Sequence, residues 1–164
     1  MNFSSPTWSP GGTKIAFCVD NFRFSAARIY VIDADGTDLT RITPKGSRDC
    51  DPAWSPDGTR IAFTHASGRH VDLATMSPDG SNKVTLVSDG FNNWPDWSPD
   101  AATLVFSRST ASVSTDLFTV PADGGDLVKL TDTPRDESMP AYSPDGTKIA
   151  FSTGVFRHEP HSTS

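Results

Sequence analysis

The chain lacks most of what common folds are built on. It has no apolar run approaching the roughly 20 residues of a membrane-spanning helix, and only 35% of its 164 residues are hydrophobic. No membrane span is expected. Cysteine is scarce: Cys18 and Cys50 are the only two, they occupy non-equivalent places, and two thiols make no disulfide framework. A bridge between them is allowed but not expected. Basic residues are in the minority, 14 Lys and Arg against 20 Asp and Glu for a net charge of −6. Nonspecific nucleic-acid binding needs a basic face that displaces counterions from phosphates, so no nucleic acid is expected as partner. The opening stretch, Met1-Asn2-Phe3-Ser4-Ser5-Pro6, has neither the basic region nor the apolar core of an export signal. As it stands the sequence points to the cytoplasm, or to the periplasm if it belongs to a longer exported protein.

What is abundant is turn chemistry, with 12 Gly and 13 Pro, and one unit written four times. Pro6-Thr7-Trp8-Ser9-Pro10, Pro52-Ala53-Trp54-Ser55-Pro56, Pro95-Asp96-Trp97-Ser98-Pro99 and Pro140-Ala141-Tyr142-Ser143-Pro144 each lead into an apolar strand, ending at Phe17, Phe63, Phe106 and Phe151. The aromatic positions lie 46, 43 and 45 residues apart. A period in that range, holding only strand-like segments, marks the blades of a β-propeller. The fold class is therefore all-β, built of four-stranded antiparallel blades.

The second repeat reads most clearly. A short strand ends at Trp54, and Ser55-Pro56-Asp57-Gly58 forms a tight turn in which Pro presets φ and Gly accepts the left-handed conformation. Residues 60–64 alternate polar and apolar as a second strand, a variable loop fills 66–71, and strands follow near 72–76 and 84–87. Repeats one and three follow the same plan, and repeat four offers only its first two strands. The expected layout is a lead at 1–5, blades at 6–46, 47–89 and 90–134, a half-blade at 135–152 and a polar tail at 153–164. Repeat three has Asp100-Ala101-Ala102 where the others have Asp-Gly or Gly-Gly. Its turn either changes type or holds an Ala left-handed, at a cost of roughly 1 kcal/mol.

The strings PAWSPDGTRIAF and PAYSPDGTKIAF, with IYVIDADGTDLTRIT in the first unit, resemble the TolB-type propeller repeat, a WD-like unit of many bacterial propellers. The likeness spans about residues 6 to 152. It implies a propeller fold and, by analogy with TolB, binding of a partner protein or peptide at one mouth of the central channel. Related repeats also form the propeller that caps prolyl-oligopeptidase-type serine peptidases. Since three and a half blades make no ordinary ring, closure is expected from a second copy, giving a homo-oligomer, or from further blades of a larger propeller.

Candidate sites divide by whether they repeat. Trp8, Trp54, Trp97 and Tyr142 occur in every unit and are expected to pack blade against blade. The turn aspartates Asp57, Asp79, Asp100, Asp123 and Asp145 are expected to shape turns. Positions that vary between blades carry function, since loops on a rigid scaffold do. Asp49, Asp51, Asn92, Asn93, Trp94, Asp136 and Glu137 are thus expected at the channel rim as ligand contacts, with Phe22, Phe24 and Phe91 as further apolar anchors. No catalytic residue is expected. There is no Gly-x-Ser-x-Gly elbow and no phosphate loop, and no single Ser, His and Asp set stands out. His65 and His70 share a loop, and His158 and His161 lie in the tail without a third ligand at metal-site spacing. Neither metal nor cofactor is expected.

Overall fold

The computed structural model describes residues 2–20, 26–110 and 114–154. Phe22, Phe24, His158 and His161 lie outside them. Among the described residues every element is a strand, and no helix is long and apolar enough to cross a membrane.

Fourteen strands form three blades and an inner hairpin. The first blade comprises β1 (Asn2–Trp8), β2 (Lys14–Asp20), β3 (Ala27–Asp33) and β4 (Thr40–Arg41), in that order across the sheet. The second comprises β5 (Asp49–Trp54), β6 (Ile61–Ser67), β7 (His70–Met76) and β8 (Val84–Val87). The third comprises β9 (Phe91–Trp97), β10 (Thr103–Ser109), β11 (Asp116–Pro121) and β12 (Val128–Lys129), and the hairpin pairs β13 (Asp136–Tyr142) with β14 (Ile149–Gly154). Neighbouring strands within a blade run antiparallel. The chain is a partial β-propeller of about three and a half blades. The first strand starts at Asn2, ahead of the Pro6 from which the repeat was counted. The expected loop at 66–71 is instead a continuation of the β6–β7 hairpin, paired out to Ser67 opposite His70.

The repeated turn shows why its Ser and Asp recur. Ser55 Oγ donates to Asp57 Oδ1 (2.6 Å) and accepts from the Arg60 amide (2.9 Å), so one hydroxyl ties both ends of the turn. Ser98 with Asp100 and Ser143 with Asp145 repeat the contact at 2.6 Å. The closing amide belongs to Gly58, Ala101 or Gly146. Ala101 keeps the turn by adopting φ +58°, so the third repeat accepts strain rather than changing turn type.

Each blade has two unlike faces. In the second, Ile61 and Phe63 point toward blade one, joined there by Trp54, Ala74 and Met76 and meeting Ala16, Ile29, Val31 and Ile42. On its other face Ala53, Ala62, Leu73 and Val87 meet Trp97, Leu104, Phe106 and Val120 of blade three. A bulky front thus packs on the smaller back of the preceding blade. Side chains alternate along a strand, so the alternation Ile-Ala-Phe supplies both faces at once. Trp97 is buried at a blade boundary and Trp54 is half-buried, but Trp8, expected to pack likewise, is 59% exposed. The correction follows from position: among the described residues nothing precedes blade one to cover its front.

Cys18 and Cys50 form a disulfide with Cα atoms 5.1 Å apart, contrary to the expectation from sequence. Their non-equivalence is what brings them together. Cys18 lies on the back of blade one, and Cys50 lies on the innermost strand of blade two that faces it. A second lock is steric. A Cβ built on Gly80 would stand 2.0 Å from the Ile42 carbonyl oxygen, whereas at Gly36, the matching turn of blade one, it would meet nothing.

Both glycines have positive φ, so Gly36→Ala should cost about 1 kcal/mol through backbone strain alone. Gly80→Ala should cost that plus a further 1–3 kcal/mol from overpacking. Denaturant unfolding of the two variants checks the difference, and equal losses would mean that blades one and two do not approach as closely as described. Replacing both cysteines by serine should lower stability by about 2–4 kcal/mol, since the bridge closes a 32-residue separation. A Cys18→Ser/Cys50→Ser chain as stable as the oxidised wild type would exclude the bridge.

Candidate functional site on the channel wall

The innermost strands β1, β5, β9 and β13 line the propeller axis, and all four contain the same irregularity. Each breaks register just ahead of its repeat proline, between Ser4 and Thr7, Cys50 and Ala53, Asn93 and Asp96, and Ser138 and Ala141. The residue before the proline adopts a left-handed conformation in every case: Ser5 at φ 50°, Asp51 at 48°, Trp94 at 52° and Met139 at 54°. None is a glycine, and proline restricts its predecessor further. A bulge re-aims a side chain. Here it directs four different side chains into one groove of about 260 Å³, floored by the four constant prolines.

The groove combines an aromatic ring, a thioether, a hydroxyl and carboxylates. Trp94 and Met139 are 37% and 57% exposed. Asp51 accepts from the Ser5 hydroxyl at 2.7 Å, and burial pushes its carboxyl above the ordinary value, offset in part by bonds from Ser5 and Thr64. Asp96 also lines the groove and accepts the Tyr142 amide at 2.7 Å. Burial raises it too, against bonds from the Tyr142 and Trp97 amides.

The residues expected at the rim from sequence separate into groups. Asp51 and Trp94 line the groove. Asn93 lines an adjoining cavity of about 530 Å³, as the described residues bound it, with Asp20, Arg48 and Thr64; Ser5 and Asp51 line both spaces. Asp136 is half-buried and accepts the Thr115 amide at 2.7 Å. Asp49, Asn92 and Glu137 are buried, at 1%, 0% and 2% exposure, and engaged internally. Asp49 meets His65 Nδ1 at 2.6 Å and Lys83 Nζ at 3.5 Å. Asn92 donates to the Val71 carbonyl at 2.7 Å and accepts from Arg108 at 2.8 Å. Glu137 accepts from the Thr131 hydroxyl at 2.7 Å and from Thr133. These three are a correction: polar side chains three residues ahead of the repeat proline fasten strands and blades, because a buried polar group without partners is costly.

Ser5 and Met139 were missed. The signal was present in the sequence, since the residue before the repeat proline is Ser, Asp, Trp and Met in successive units while the proline never changes.

The raised carboxyl of Asp51 has a definite sign. Its folded value exceeds the unfolded one, so its contribution to stability is largest below the ordinary value of 3.8 and is lost as pH rises through the folded value. Turn aspartates act oppositely: Asp145, lowered to about 2 by the Ser143 hydroxyl and the Thr147 amide, contributes above the ordinary range and loses that contribution as pH falls toward 2. Asp51→Asn, which retains an acceptor for Ser5, should therefore raise Tm at pH 7 by roughly 1–3 °C. The gain should vanish near pH 3. A gain independent of pH would mean that the Asp51 carboxyl is not desolvated.

Comparison with known proteins agrees with this architecture. Residues 1–88 match the TolB beta propeller domain family. The chain superimposes on TolB from Acinetobacter baumannii with a TM-score of 0.77 and 25% identity, over 92% of this chain and 37% of that one. A putative TolB from Agrobacterium tumefaciens matches with a TM-score of 0.74 at 22% identity, over 94% and 72% of the two chains, a likeness of fold. An uncharacterised peptidase of Bacillus subtilis, YuxL, is 38% identical over 61 residues, 37% of this chain and 9% of that protein. The chain thus spans a small part of that curated relative and well under half of the Acinetobacter protein. With its repeat, its blades and its channel strands in agreement, the chain belongs to the TolB β-propeller domain family.

Proposed function

We propose that the chain is a noncatalytic propeller module that binds a protein or peptide segment along the channel wall. The carrying observation is the row Ser5, Asp51, Trp94 and Met139. Four equivalent backbone positions are held in the same strained conformation, and only their side chains differ. A scaffold that fixes direction and varies chemistry suits recognition of an irregular chain. Strain of this kind also clusters where ligands are held. Trp94 and Met139 supply apolar anchors, and Asp51 and Asp96 supply acceptors for backbone amides or a cationic side chain. Membership of the TolB propeller domain family supports the binding role.

A rival reading is the propeller portion of a prolyl-oligopeptidase-type serine peptidase, favoured by the identity with the Bacillus peptidase. In that reading the same groove faces a hydrolase domain.

A displayed library of random dodecapeptides panned on the purified chain should yield binders. Trp94→Ala or Met139→Ala should weaken them at least tenfold, while Val128→Ala on the outermost strand β12, exposed and away from the groove, should not. Failure to enrich over an albumin control, or binders indifferent to both channel variants, would defeat the proposal. Hydrolysis of a fluorogenic peptide amide by the chain alone would refute its noncatalytic part.

A further inference from the structure

The propeller's own interior identifies what its open flanks take. The front of blade two, with Trp54, Ile61 and Phe63, and the front of blade three, with Trp97, Leu104 and Phe106, are each covered by the back of the blade before, an aliphatic face with alanine on its second strand. Blade one has the same front in the same register: Trp8, Ile15 and Phe17, extended by Tyr30 and Phe3, whose rings stand 6.1 and 6.0 Å from that of Phe17. Phe3 and Trp8 are 71% and 59% exposed. At the opposite flank, Ala141, Ala150 and Ser152 are exposed. They correspond to Ala53, Ala62 and Thr64 of blade two, which are buried.

We propose that these two flanks are halves of one contact, made head-to-tail between copies of this chain: the aromatic front of blade one seats on the back of the β13–β14 hairpin of a second copy. The occupant is a second copy because the chain presents a full front and the two inner strands of a back, the counterparts of a contact that it builds internally between its consecutive blades. A front meeting another front would instead oppose bulky aromatics to bulky aromatics, a pairing that the interior never uses. The contact is heterologous, so it closes into a ring if the rotation permits and otherwise propagates. Closure would also enclose the groove at Ser5, Asp51, Trp94 and Met139. The inference rests on the propeller architecture and not on peptide binding, so it fails separately from the function proposed above.

Size exclusion with light scattering, over a hundredfold range of concentration, should give a mass rising above the 17.6 kDa of one chain. Trp8→Asp spoils the front and Ala150→Arg the back; each alone should shift the assembly midpoint at least tenfold toward monomer. Mixed, the two should form a heterodimer, since one retains a good back and the other a good front. That recovery also proves both variants folded, and Phe3→Asp provides a second front variant. A wild type that stays at 17.6 kDa throughout, Ala150→Arg assembling as wild type does, or a mixture that remains monomeric would each overturn the proposal.

Discussion

The packing of an aromatic-bearing blade front on the aliphatic back of its neighbour, small at Ala16 and Ala62, is the contact on which the rest depends. The outer strands β4 and β12 are two residues each, far too short to persist by themselves, and even the inner hairpins are marginal as isolated units. Stability in such an array is the sum of weak units and nearest-neighbour interfaces. Ile61, Phe63, Leu104 and Phe106, each fully buried, contribute about 1.5–3 kcal/mol apiece by leaving water. They can do so only when the neighbouring blade offers Ala16, Ala62 or their equivalents to receive them. The same logic explains the two unlike ends. Trp8 is chemically identical to Trp97, yet one is exposed and the other buried because, among the described residues, a preceding blade covers only Trp97.

That interface also frees the channel wall for other work. Blade packing is carried by the strand faces, so the innermost strands need only hold their place, which the repeat proline and bulge accomplish. One residue per blade is left with a fixed direction and, at Trp94 and Met139, a side chain outside the blade cores; Ser5 and Asp51 also bond each other across the first boundary. The row Ser5, Asp51, Trp94 and Met139 follows from that separation, and chemistry can vary there without disturbing the interfaces behind it.

The repeat, strand faces and turns were legible in the sequence because each follows from local chemistry: alternation for the faces, Ser-Pro-Asp-Gly for the turn, spacing for the blade. The fourth-strand segment 84–87 was read as it stands, and Ala101 was recognised as a place where the turn must change or strain. What was not legible depends on neighbours distant along the chain, within a blade for Asp49 and across a blade boundary for the others. Asp49, Asn92 and Glu137 resemble rim acceptors when read along the chain. Only the contacts with His65, Val71 and Thr131 show them to be buried fastenings. The disulfide was discounted for a similar reason. Cys18 and Cys50 are non-equivalent within a repeat, but the back of a second strand and the innermost strand of the next blade are adjacent in space. Exposure of Trp8 was hidden by the repeat itself, which makes every copy look equally packed.

The apolar part of the interface is common to all blades, so it cannot by itself decide which blade follows which. The polar contacts can, because most of them differ between boundaries, although the amide of the repeat aromatic meets the side chain just before the preceding aromatic at two of them. Between blades one and two stand the disulfide, the Ser5–Asp51 bond and the Trp54 amide on the Thr7 hydroxyl. Between two and three, Arg60 reaches the Ala122 carbonyl and the Asp123 carboxylate while stacking 5.1 Å over Trp97, whose indole donates to the Ala53 carbonyl. Between three and the hairpin, Asp96 takes the Tyr142 amide and Glu137 the Thr131 hydroxyl. Specificity is a difference between competing pairings, and here each wrong pairing would leave a different set of polar groups without partners. An outer flank meeting its complement in another chain has the apolar half of this arrangement. Such a contact should be weaker and more readily exchanged than the boundaries inside the chain.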